Sequence, residues 1–123
     1  MKQVKLRDMS VDQLVERFTA IALEQDEALL NDDIAKFNRL FDLMEAVKEE
    51  LKARDSDQRR ALIPLYNHRN AQVRLKAAKA TLAVAPEAAR QVLQSISDRA
   101  EFPQALDAGM TIKALDRGIF KPT

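Results

Sequence analysis

Cysteine and tryptophan are missing from the 123 residues of the chain, histidine occurs once and glycine twice. Without cysteine there is no disulfide, no thiolate nucleophile and no sulfur-ligated zinc. The single histidine, His68, leaves the common His-based metal sets and the Cys-His dyad without members, so no metal and no cofactor is expected. Glycines only at 109 and 118 exclude a phosphate loop or a dinucleotide fingerprint, which need closely spaced glycines where the backbone approaches a phosphate. A Ser-His-Asp triad would have to recruit His68, yet Ser10, Ser56, Ser95 and Ser97 stand in no G-x-S-x-G turn. Neighbouring carboxylates such as Asp26/Glu27 and Asp32/Asp33 diverge on a helix or cap its start, and the E-x-x-H of di-iron bundles does not occur. No catalytic residue is assigned, and the chain is not expected to be an enzyme.

Long apolar runs are missing as well. Uncharged stretches such as Ala80–Pro86 fall far short of the roughly 20 apolar residues of a membrane span. The charged start, Met1 to Arg7, has no apolar run behind it, so no secretory signal is read and a cytoplasmic protein is expected.

Charge is plentiful and unevenly placed. The 20 Lys/Arg and 19 Asp/Glu leave a net charge of +1. Residues 1–61 hold 11 basic and 14 acidic residues, net −3, whereas residues 62–123 hold 9 and 5, net +4. Between Asp57 and Glu87 there is no carboxylate, while Arg59, Arg60, Arg69, Arg74, Lys76 and Lys79 all lie there. Most such charges form a solvated helix surface. The functional alternative is a surface for an anion or an acidic partner, with Arg59, Arg60, His68, Arg69, Lys76 and Lys79 as candidates and Tyr66 beside His68 and Arg69.

Apolar residues recur every three or four positions and nothing alternates like a strand, so the chain reads as helix throughout. A first helix starts at Ser10, where S-x-x-Q forms a capping box with Gln13, and carries Val11, Leu14, Val15, Phe18, Ile21, Ala22, Ala28 and Leu29 inward. Asn31-Asp32 favours a turn, and a second stripe follows with Ile34, Phe37, Leu40, Phe41, Met44, Val47 and Leu51. Asp55-Ser56-Asp57 caps a short third helix holding Leu62, Ile63, Leu65 and Tyr66, bent or ended by Pro64. Asn70 caps a fourth, Ala71 to Val84, and Pro86 opens a fifth to about Asp98 with Val92, Leu93 and Ile96 inward. Pro103 opens a sixth, with Leu106, Met110 and Leu115 in the core and Gly118 as its left-handed terminus. No Ser/Pro/Gly-rich linker intervenes, so a single domain, 1–123, is expected: a long hairpin 10–54 and a repeat-like part 56–118.

Three polar residues fall on apolar arcs. Gln25 projects among Leu14, Phe18 and Ile21, and Asn38 lies at the edge of the second stripe, level with it if the hairpin turns between Asn31 and Asp32. The two amides are expected to approach and satisfy each other. Arg74 points between Val73 and Leu82 and is expected to pair with Asp98 or Asp107.

The segment from Leu62-Ile63-Pro64-Leu65 through Asn70-Ala71-Gln72-Val73-Arg74-Leu75-Lys76-Ala77-Ala78-Lys79-Ala80-Thr81-Leu82 resembles one HEAT repeat, with its polar turn and its V-R-x-x-A-A-x-x-x-L second helix. Small Ala77 and Ala78 let helices approach closely there. A weaker echo at an offset of 33 pairs Val73 with Leu106, Ala77 with Met110 and Leu82 with Leu115. Over nearly its full length, including Phe37-Asn38-Arg39-Leu40 and Val73 to Ala78, the sequence also resembles a small bacterial family of HEAT-like proteins catalogued as a domain of unknown function. The resemblance implies an all-α fold, a HEAT/armadillo-like right-handed α-α superhelix of about six helices, and transfers no catalytic residue.

The expected function is therefore a non-enzymatic protein-interaction module, of scaffold or immunity type by analogy of fold. The alternative is nucleic-acid or anion binding through the basic segment 59–79. Aromatic support for it is thin, since Phe18, Phe37 and Phe41 lie on core stripes and leave Tyr66, Phe102 and Phe120 to stack bases. A homodimer is a further option, because short repeat stacks leave terminal apolar faces.

Overall fold

The protein, described by a computed structural model over residues 4–123, is all-helical with no strand among the described residues. The first residues of the charged start, 1–3, lie outside the described residues. A short turn of 3-10 helix, Leu6–Asp8, precedes α1 (Val11–Leu30) and α2 (Ile34–Ala53). A ten-residue 3-10 helix, Gln58–Asn67, leads into α3 (Ala71–Thr81), α4 (Pro86–Asp98) and α5 (Gln104–Asp116). Two compact units result, one ending at Ala61 and one from Leu62 to Thr123.

In the first unit, α1 begins where the sequence places it. Ser10 Oγ accepts from the Gln13 N–H at 3.1 Å and Gln13 Oε1 accepts from the Ser10 N–H at 2.8 Å, a complete capping box. Asp32, with φ of 52°, makes the turn, and Asp33 caps α2 by accepting from the Lys36 N–H. The buried faces are Leu14, Phe18, Ile21, Ala22, Gln25 and Ala28 on α1 and Leu40, Met44, Val47 and Leu51 on α2. The expected second stripe is corrected at its N-terminal end. Ile34 is 72% exposed and Phe41 is also exposed. Leu40, Met44, Val47 and Leu51 follow i, i+4, i+7, i+11 spacing; Phe41 stands about 100° off that line, and Ile34 sits on the first turn, at the hairpin tip. Arg54 ties the N-terminal segment to the end of α2, donating to the carbonyls of Leu6 at 3.1 Å and Met9 at 2.8 Å while its Nε meets Glu50 at 2.7 Å.

The short third helix is a 3-10 helix that continues through Pro64 rather than breaking there. Asn70 Oδ1 then accepts from the N–H groups of Gln72 and Val73 and starts α3. That helix stops at Thr81, three residues before the expected Val84, and the chain passes through turns in which the Thr81 carbonyl accepts from both Val84 and Ala85. Pro86 opens α4 at its first position, and Gly118 (φ 69°) follows α5, both as the sequence predicts.

α3 is the most deeply buried helix of the second unit, with Ala77 and Ala78 completely enclosed. Its Leu75, Ala78 and Leu82 pack with Ala89, Leu93 and Ile96 of α4 and with Ala108 and Ile112 of α5. Here a second expectation fails. Leu106 and Met110 are not core; they are 62% and 70% exposed, while Ala105, Ala108, Thr111 and Ile112 face inward. The close approach selects small residues, so α5 is turned by about one residue, some 100°, from the register that an offset of 33 implies. An offset of 32 fits instead: the buried pair Gln72 and Gln104 meet side chain to side chain at 3.1 Å.

Candidate functional site

The basic set read from the sequence does not come together as a surface. Arg59 is buried and forks onto Asp57, Nε to Oδ1 at 2.9 Å and Nη2 to Oδ2 at 2.6 Å. These hydrogen bonds hold the Asp57 carboxyl below its ordinary range and the guanidinium above its own. Lys76 is only 7% exposed, on a helix most of whose residues are buried. Lys79 is half-buried and pairs with Asp107 at 2.9 Å. Arg60 and Arg69 are exposed, in the first and second units respectively. His68 is half-buried and structural: its Nδ1 accepts from the Asn70 N–H at 3.0 Å, bracing the cap of α3.

Of the three polar residues on apolar arcs, Gln25 is completely buried and Asn38 is exposed on α2. Arg74 makes a structural pair, but its partner is Glu101, neither Asp98 nor Asp107. Its Nη1 and Nη2 reach Oε1 and Oε2 at 2.8 and 2.7 Å, its Nε donates to the His68 carbonyl at 2.7 Å, and Nη2 also reaches the Arg69 carbonyl. With its fork filled, Arg74 has little capacity left for an incoming anion. Asp98 instead accepts from Gln94 on its own helix. The sequence could not single out Glu101, because the turn that carries it is placed by the packing of α4 against α5.

Arg74 lies at an open groove of about 640 Å³, walled by Ile63, Pro64, Tyr66 and Asn67 of the 3-10 helix, by Ala88, Gln91, Val92 and Ser95 along α4 and by Arg99 just past its end. Burial raises the Tyr66 hydroxyl above its ordinary value. That hydroxyl is hydrogen-bonded to Thr81 Oγ1, which itself donates to the Ala77 carbonyl, so the phenol proton is directed to Thr81 and away from the groove. Among the described residues no three acidic or histidine side chains gather as a metal site.

The other surface is the outer side of α5. At 100° per residue, Leu106, Met110, Lys113 and Arg117 fall within about 60° of one another, and all four are exposed. Phe102 stands 64% exposed in the turn before the helix. Three of the second unit's five carboxylates, Glu101, Asp107 and Asp116, are engaged by Arg74, Lys79 and Arg90. Among the described residues none pairs with Arg69, Arg99, Lys113 or Arg117. Lys113 and Arg117 therefore stand beside the apolar side chains of this face without a carboxylate partner. No signal in the sequence marked this face, because Leu106 and Met110 sit at helical spacing that reads as core.

Among the described residues no helix is long and apolar enough to cross a membrane. Comparison with known proteins matches residues 12–116 to the family model DUF2019, described as a domain of unknown function. The crystal structure of the protein RPA1889 from Rhodopseudomonas palustris CGA009 is similar at 51% identity and a TM-score of 0.94, covering 98% of this chain and 100% of that one. None of the curated proteins compared matches the sequence.

Proposed function

Since the chain belongs to the DUF2019 family, a domain of unknown function, we propose its role from its surfaces: a non-enzymatic protein-interaction module of HEAT-like helical build that holds a protein partner on the outer face of α5. The observation that carries this reading is the exposure of Leu106 and Met110. A helix with apolar residues on its outer side leaves them in water unless something covers them, and clustered exposed apolar side chains mark interaction sites. The cations on the same side of the helix, Lys113 and Arg117, favour a partner surface with carboxylates.

Binding of nucleic acid through segment 59–79 has less support, because Arg59 and Lys76 are buried and Arg74 and Lys79 are committed to ion pairs.

A photo-crosslinking residue in place of Met110, introduced in living cells, tests the proposal against the same residue in place of Gln91 on α4. Discrete protein adducts from position 110, absent from position 91, are expected. No adduct from position 110, or adducts to nucleic acid alone, would overturn the reading.

A further inference from the structure

We propose that the occupant of the α5 face is a second copy of this chain, which brings the tip of its α1–α2 hairpin onto it. The inference rests on the reading of that face as a protein-binding surface and adds what covers it. Beside the hairpin turn is a small depression of about 100 Å³ with Ala28, Leu29 and Phe37 in its lining. Leu30 and Ile34, 78% and 72% exposed, stand at the same tip. Its surroundings are acidic: Asp32 and Asp33 lie on the lining, and Glu27, one turn earlier on α1, is exposed.

The α5 face has the opposite relief and the opposite charge. Met110 and Leu106 project from it, with Lys113 and Arg117 on the same side. An unbranched thioether suits a shallow, irregular hollow. Tip against face sets apolar on apolar and carboxylate by cation, whereas tip against tip gathers carboxylates and face against face gathers cations. Like pairings repel and the unlike one attracts. Each copy therefore offers one tip and one face, a head-to-tail contact that builds rings or short chains. The surfaces are small, so the association is weak and reversible.

Sedimentation velocity over a concentration series, with the full chain, tests this. Wild type is expected to associate reversibly as its concentration rises, roughly tenfold more weakly at high salt than at low salt. Ile34→Asp blocks the tip and Leu106→Asp blocks the face, with Met110→Asp as a second face variant. All three positions are exposed, so helical circular dichroism is retained. Each variant alone is expected to be a monomer, and an equimolar mixture of a tip variant with a face variant to form a 1:1 dimer and nothing larger, because one intact tip meets one intact face. Wild type that stays monomeric into the millimolar range, a mixture that stays monomeric, or a single variant that associates like wild type would each overturn the proposal. Crosslinks from position 110 to a different protein, with wild type monomeric, would remove the second copy as occupant and leave the interaction module standing.

Discussion

The guanidinium of Arg74 and the carboxylate of Glu101, 27 residues apart in the chain, meet as a two-pronged fork at 2.8 and 2.7 Å. The contact fastens the first turn of α3 to the turn before α5. Both groups are largely shielded from solvent, so removing one leaves the other poorly compensated. Arg74→Leu and Glu101→Gln are each expected to cost about 2–3 kcal/mol of stability, and the double variant less than their sum. Arg74→Lys is expected to recover little, since an ammonium cannot make the paired fork. Urea unfolding of the full cycle checks this; additive losses would contradict it.

The same contacts dictate an acid dependence. Hydrogen bonds from Arg74 hold the Glu101 carboxyl below its ordinary value of 4.5. Burial pushes Asp107 upward, but the charges of Lys79 and Lys76 and the hydrogen bonds from Lys79 and Thr111 together bring it below its ordinary 3.8. A carboxyl with a depressed folded value takes up protons more readily once unfolded, so its stabilisation is complete above the unfolded value and is lost as pH falls through the folded one. Melting temperature is expected to hold down to about pH 5 and then decline. Glu101→Gln should lose less on acidification than wild type; an identical acid profile for the two would contradict the assignment.

The two glycines are expected to respond with opposite signs. Gly109 lies within α5, and a Cβ there would meet Ser97 Oγ at 3.5 Å, an ordinary contact. Gly109→Ala should therefore stabilise by about 0.5–1 kcal/mol. Gly118 has a φ of 69°, so Gly118→Ala should destabilise by about 1 kcal/mol. Thermal melts of the two variants decide both.

Caps and periodicity made most helices legible in advance. Ser10 with Gln13, Asn70, Pro86 and Gly118 act through local geometry, which needs no knowledge of tertiary structure. The interior position of Ala77 and Ala78 was readable for the same reason, since small residues at helical spacing signal close approach. What was not legible depends on the rotation of one helix against another. Ala105 and Ala108 won the inward face of α5 over the larger Leu106 and Met110, an outcome set by inter-helix distance rather than hydrophobicity. The basic segment misled for a related reason. Nothing in its spacing reveals how deeply α3 is buried, and that burial takes in even a lysine such as Lys76.

Peroxide oxidation of the methionines, followed by peptide mapping at low and high protein concentration, addresses the α5 face most directly. Met110 is 70% exposed and Met44 only 5%. In dilute protein Met110 is expected to oxidise at nearly the rate of an unfolded methionine while Met44 is protected, and Met110 should become protected as concentration rises and the face is covered. Met110 oxidising as slowly as Met44 in dilute protein would place it in the core after all, and an oxidation rate indifferent to concentration would contradict coverage of the face by a second copy.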